Sequence, residues 1–144
     1  MPGKSFQGPL APMSGELRDL SARLRGHVER LAGTIGERNA YRRPQRLEAA
    51  AKYIEEQLQA CGYEPQAQSF DCYGARVRNI VAERRGAKKP EEIVVVGAHY
   101  DSVEGCPAAN DNGSGVAATL ELARRFAGGA APSLTLRLAA FVNE

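Results

Sequence analysis

Four side chains in this 144-residue chain have the chemistry to bind metal or move protons, and their positions suit convergence: His99, Asp101, Asp111 and Glu144. A neutral imidazole and a carboxylate are both good zinc ligands, and His99 with Asp111 supply one of each from opposite ends of a short loop. Asp101 suits a different task. A metal-binding histidine usually donates its second ring N–H to a carboxylate, which fixes the tautomer and strengthens the ligand. Residues two apart on a strand share a face, so an extended His99-Tyr100-Asp101 sets that carboxylate at the right spacing. Read singly, each residue also has an ordinary explanation. His99 and Asp101 suit a solvated polar pair at a strand end, Asn110-Asp111-Asn112-Gly113 has the composition of a plain turn, and Glu144 after an apolar run has no standing by itself.

The elements that must position these groups follow from periodicity. Ser14 is a suitable N-cap, and Leu17, Leu20, Leu24, Val28 and Leu31 recur at three- and four-residue steps along one face of a helix. Gly33 to Arg43 reads as a loop. Pro44 suits the first turn of a second helix whose apolar stripe is Leu47, Ala50, Ala51, Ile54 and Leu58, with Gly62 as its stop. Shorter extended runs follow, Glu64 to Tyr73 and Val77 to Glu83, which suit neighbouring strands, and then the turn-like segment from Arg85 to Pro90. Ile93-Val94-Val95-Val96-Gly97-Ala98 has no polar break, as expected for a central strand covered on both faces, and it delivers His99 at its carboxyl end. Val116, Leu120, Ala123 and Phe126 mark a third helix stopped by Gly128-Gly129, and Leu134 to Val142 reads as a further strand.

This order predicts an α/β fold, a three-layer sandwich with a central mixed, mostly parallel sheet. Ligands collect at the carboxyl ends of strands in such folds, which brings His99, Asp101, Asp111 and Glu144 to one edge of the sheet. Residues 1–13, rich in Gly and Pro, read as a flexible leader, and residues 14–144 as one domain or part of one.

Composition excludes several classes. With 43% hydrophobic and 25% charged residues the chain suits a modest globular core. A net charge of +2, with basic residues scattered among acidic ones, is too small to argue for a nucleic-acid partner, and none is expected. No apolar stretch reaches the length of a signal-peptide core or a membrane span, so a cytoplasmic location and no membrane partner are expected. Cys61, Cys72 and Cys106 form no C-x-x-C pair, which suggests neither a disulfide framework nor a thiolate zinc site. Nothing in the sequence sets the oligomeric state.

Read together, GAHYDSVEGCPAANDNGSGVAATLELAR and LRLAAFVNE resemble the two-zinc exopeptidases of the bacterial leucyl aminopeptidase, glutamate carboxypeptidase and glutaminyl cyclase type. That family shows a strand ending in G-[AG]-H-x-D-S, a loop with G-A-x-D-[ND]-A-S-G, and a later strand ending in two consecutive Glu residues. The stretch from His27 through Ile35-Gly36-Glu37-Arg38-Asn39 to Ile54 is similar to the family's opening helices. The resemblance implies that His99 binds one zinc, Asp111 bridges two, Asp101 orients His99 and Glu144 is the general base. It implies a peptide substrate, and a cis peptide at Asp111-Asn112. The second Glu and a further Asp and His of the family pattern would lie past Glu144, so the chain is expected to be the N-terminal portion of an aminopeptidase, incomplete and inactive by itself. Ala108 stands for the pattern's Gly, Asn110 for a frequent Asp and Gly113 for Ala. Two other readings stay open: a carboxypeptidase or glutaminyl cyclase of the same fold, and a non-catalytic binding or structural domain.

Overall fold

A computed structural model describes residues 7–9 and 12–143. Helix α1 spans Gly15–Val28 and starts at Ser14, whose side chain accepts from the Leu17 N–H at 3.2 Å. Before it, residues 7–9, 12 and 13 are exposed and lie in no helix or strand; the rest of the 1–13 leader falls outside the described residues. The chain stays helical beyond α1, in wider π-type turns over Glu29–Ile35, and leaves the helix at Gly36 with φ 76°. The loop expected from Gly33 therefore begins three residues later, because burial of Leu31 and Ile35 holds the extra turns.

Helix α2 spans Pro44–Ala60, and Leu47, Ala50, Ala51, Ile54 and Leu58 are all buried, the stripe expected from their spacing. Each of the larger ones contributes about 1.5–3 kcal/mol of apolar burial. After α2, Gly62 at φ 85° allows the Tyr63 N–H to reach back to the Leu58 carbonyl at 3.1 Å, the usual glycine-stop geometry.

Strands β1 (Gln66–Cys72) and β2 (Ala75–Arg84) are joined by Tyr73-Gly74, both at positive φ, and a two-residue turn of that kind makes an antiparallel hairpin. Strand β3 (Lys89–His99) leads through the site loop to α3 (Gly115–Ala127), which returns to β4 (Leu134–Phe141). That crossover makes β3 and β4 parallel neighbours, whereas β2 and β4 pair antiparallel. The sheet order is β1-β2-β4-β3. The sheet is mixed, as expected, but only one of these pairings is parallel.

Helices α2 and α3 cover the same face of the sheet: Ile54 and Leu58 from α2 meet Val116 and Leu120 from α3 over Leu138 and Ala140 of β4. Among the described residues this is the only helical layer on the sheet, so the sheet and one of the two expected outer layers are present. Strand β3 departs from expectation. It lies at the edge rather than in the centre, and Ile93, Val94 and Val95 are 44%, 45% and 54% exposed. A continuous β-branched run records a strand made for burial on both faces. The described residues supply cover on one side only, and Phe141 beside His99 is exposed for the same reason.

Helix α1 also differs from its pattern. None of its residues is buried and Leu17 is half-exposed. Leu20, Leu24 and Val28 are half-buried, and Glu121 of α3, 6% exposed, adds charged contacts: it lies 2.9 Å from Arg23 Nε and 3.5 Å from His27 Nε2 of α1, and 3.0 Å from Arg124 Nε of its own helix. In α3 itself Val116, Leu120 and Ala123 are buried, whereas Phe126 is exposed.

Candidate metal centre

His99 ends β3 opposite Phe141, and the Tyr100 N–H extends the ladder by one bond, 2.8 Å to the Phe141 carbonyl. Tyr100 is 1% exposed and donates its hydroxyl to the Arg78 carbonyl at 2.8 Å. Burial pushes that phenol well above the usual tyrosine range. With Tyr100 anchored inward, His99 and Asp101 share the opposite side although the strand ends at His99. His99 Nδ1 lies 3.5 Å from Asp101 Oδ1, a buried oxygen that makes no hydrogen bond among the described residues.

The other ring nitrogen faces Asp111. The loop from Asp101 winds through a turn at Glu104-Gly105 into a bend over Ala109–Ser114, broken by non-helical Asp111 (φ −113°, ψ 93°) and Asn112 (φ −132°, ψ 38°). It places Asp111 Oδ1 2.8 Å from His99 Nε2, and the Asp111-Asn112 peptide is cis, as the motif implies. The bend is secured by Asn112 Oδ1, which accepts from the Gly115 N–H at 3.0 Å, and by Ser114 Oγ, which donates to the Asn110 carbonyl at 2.6 Å. Two departures from the family motif meet here. Ala108 sits at φ 51°, the left-handed region where glycine is at ease, and its carbonyl accepts from the Gly113 N–H at 3.1 Å. A Cβ at Gly113 would come within 2.8 Å of that carbonyl oxygen, so glycine is what fits.

The donor set suits a divalent cation. When Nδ1 carries its proton toward Asp101, the lone pair of Nε2 faces a carboxylate oxygen, and two acceptors that close require a proton or a metal ion between them. Two ligands on one tetrahedral zinc, each about 2.0–2.1 Å from it, stand about 3.3 Å apart, only slightly more than the spacing here. Among the described residues no third His, Cys, Asp or Glu joins them. His99 and Asp101 are 13% and 14% exposed at their side chains and Asp111 is 83% exposed, so the pair has a sheltered side and an open one. Glu144 lies outside the described residues. Beside the pair is a cavity of about 230 Å³ lined by Tyr41, Tyr73, His99, Asp101, Val103 and Asn143, among others.

Sequence patterns do not reveal the residue beneath this loop. Arg38 is 0% exposed. Its Nε donates to the Tyr100 carbonyl at 2.5 Å, Nη1 to the carbonyls of Pro107 (2.7 Å), Gly36 (3.0 Å) and Leu31 (3.3 Å), and Nη2 to that of Ala108 (3.2 Å). Burial pulls its pKa below the usual guanidinium range, against the opposing charge of Asp101. Asn39, 2% exposed, accepts from the N–H groups of Arg42 (2.8 Å) and Arg43 (3.2 Å) and so holds the turn into α2. A charged residue in a loop follows no apolar period, and the only signal was its place in the Gly36-Glu37-Arg38-Asn39 segment that resembles the family.

Residues 79–144 match the family described as Peptidase family M28. Leupeptin-inactivating enzyme 1 of Streptomyces exfoliatus is 34% identical over 115 residues, 80% of this chain and 24% of that protein. Among solved structures, the glutaminyl cyclase of Porphyromonas gingivalis superposes with a TM-score of 0.73 at 26% identity, over 88% of this chain and 47% of that one. BSAP, a zinc aminopeptidase from Bacillus subtilis, superposes with a TM-score of 0.76 at 14% identity, over 85% and 61%, a likeness of fold. The fold is thus the one shared by the Porphyromonas glutaminyl cyclase and the Bacillus aminopeptidase. The family match covers the C-terminal stretch, just under half of the chain. The chain spans about a quarter of the length of the Streptomyces relative.

Proposed function

We propose that the protein acts as a zinc-dependent aminopeptidase that removes N-terminal residues from peptides. The observation that carries this is the three-residue relay of Asp101, His99 and Asp111, with contacts of 3.5 and 2.8 Å on the two ring nitrogens. His99 would hold one zinc, Asp111 would bridge two, and Asp101 would hold the imidazole in the tautomer whose Nε2 lone pair binds metal. Bound zinc supplies polarisation of the scissile carbonyl and a lowered pKa for water. Glu144 takes the proton of the attacking water and returns it to the leaving amine, the two-way duty of a carboxylate base. Free Cys61, Cys72 and Cys106 suit a reducing, cytoplasmic setting, and among the described residues no helix is long and apolar enough to cross a membrane.

In the longest natural chain that contains these residues, zinc content and hydrolysis of a leucine chromogenic amide test this function. Glu144→Gln should keep its zinc and lose about 10²- to 10⁴-fold in kcat. Turnover that survives removal of the metal would refute the assignment. The 144-residue chain by itself should bind zinc weakly and hydrolyse almost nothing, since a catalytic zinc takes three protein ligands and among the described residues two stand here. The likeness to the Porphyromonas cyclase favours one second reading, cyclisation of an N-terminal glutamine. Ammonia release from a glutaminyl peptide without peptide-bond cleavage distinguishes it.

A further inference from the structure

We propose that Arg38 is the positioning residue of this centre: by holding both ends of the loop between His99 and Asp111, its guanidinium sets the distance between the two side chains. At the start of the loop, Arg38 holds the Tyr100 carbonyl through Nε, and its own backbone exchanges two bonds with Ser102: Arg38 N–H to Ser102 Oγ at 2.9 Å and Ser102 N–H to the Arg38 carbonyl at 2.8 Å. Those contacts flank Asp101. At the far end, Nη1 and Nη2 hold the carbonyls of Pro107 and Ala108, the residues that lead directly into the bend bearing Asp111.

Between these ends the backbone is anchored from outside the loop only near its tip, where the Glu104 N–H reaches the Tyr41 hydroxyl at 3.1 Å and the Gly105 N–H the Glu37 carboxylate; neither contact spans the two ends. The Cys106 N–H reaches the Val103 carbonyl at 3.3 Å and the Ala108 N–H reaches Cys106 Sγ at 3.3 Å, both internal to the loop. Across the loop a planar group with five N–H donors in fixed directions can do what no flexible single donor can, which is to hold several carbonyls at set separations. All of its hydrogen-bond partners are backbone carbonyls rather than carboxylates. Burying a cation is costly even with the opposing charge of Asp101 nearby, and a purely space-filling need would be met by an apolar side chain. The position of the backbone, then, is what Arg38 serves. Release of the Tyr100 carbonyl would let His99 and Asp101 turn together, and release of Ala108 would free Asp111. This rests on the zinc reading only for its consequence, since the loop closure is a property of the metal-free protein.

The test compares Arg38→Lys with Ile54→Ala, a buried substitution in α2 remote from the loop, in the longest natural chain. Amide exchange of residues 100–114 in the metal-free protein and zinc affinity by chelator competition are both measured. Arg38→Lys should speed exchange of 100–114 by about tenfold or more while residues 44–60 stay protected, and should weaken zinc binding about 10- to 100-fold, the scale for lost outer-shell partners. Ile54→Ala should do neither. Exchange and zinc affinity in Arg38→Lys equal to those of Ile54→Ala would overturn the proposal. If Arg38→Lys does not fold, Ser102→Ala tests the same closure: faster exchange of 100–108 in a folded core supports it, and unchanged exchange overturns it. A wild-type protein that binds no zinc, with the loop still released by Arg38→Lys, would sink the zinc reading and leave the closure standing.

Discussion

Helix α1 has no fully buried residue, only the half-buried Leu20, Leu24 and Val28 on its apolar face, so its attachment should depend in part on Glu121, and Glu121→Ala tests that. The carboxylate receives Arg23 Nε at 2.9 Å and Arg124 Nε at 3.0 Å, with His27 Nε2 at 3.5 Å. Removing one partner of a fully buried ion pair costs about 3–5 kcal/mol. Here the Arg23 and Arg124 side chains are 36% and 47% exposed, and solvent takes up much of their charge once Glu121 is gone. The discounted cost is about 1–2 kcal/mol. The loss should be local: amide exchange over residues 15–28 should rise while α2 keeps its protection. As a control, Glu16→Ala removes only an exposed contact to Arg125 at 3.4 Å and should change stability by no more than about 0.5 kcal/mol. The measurement is hydrogen exchange by mass spectrometry with urea midpoints for both variants. Equal midpoints, or α1 equally protected in both, would show that α1 is held by something other than this cluster.

Three further outcomes are expected. His27 lies 2.6 Å from the Tyr53 hydroxyl, and its pKa is lowered by burial despite the opposing charge of Glu121. A group whose folded pKa is depressed contributes stability that is present above the unfolded value of 6.5 and lost as pH falls through the folded pKa. The urea midpoint should thus decline as pH falls below 6.5, and His27→Gln should flatten that decline; an unchanged pH slope in the variant refutes it. Gly115→Ala would set a Cβ 2.1 Å from Asn112 Oδ1 and 2.9 Å from Ala98 Cβ, costing about 1–3 kcal/mol and displacing the Asp111 bend. Calorimetry and zinc titration check this, against Gly33→Ala, whose Cβ meets nothing within 4 Å and which should not destabilise. On the exposed β3 edge, Val95→Lys should raise the monomer fraction of the 144-residue chain in size-exclusion chromatography, because a charge interrupts edge pairing; identical elution profiles would count against it.

Local periodicity is reliable where a segment's own contacts decide its structure. The α2 stripe and the Ser14 cap are of this kind, as is the pairing of the neighbouring runs that became β1 and β2. The same logic placed His99 and Asp111 at opposite ends of one loop, because a β-branched run must end somewhere and a polar, glycine-containing stretch must turn. Burial is another matter. Leu17 has the right spacing yet stays exposed, and Ile93 to Val95 have the composition of a central strand yet stand at an edge, since periodicity names the face an element would bury and not what covers it. Tertiary structure alone decided that Arg38 lies beneath the loop from His99 to Asp111. Its value there comes from carbonyls that sit up to 70 positions away in the chain, and a hydrogen bond to a distant backbone leaves no trace in local composition.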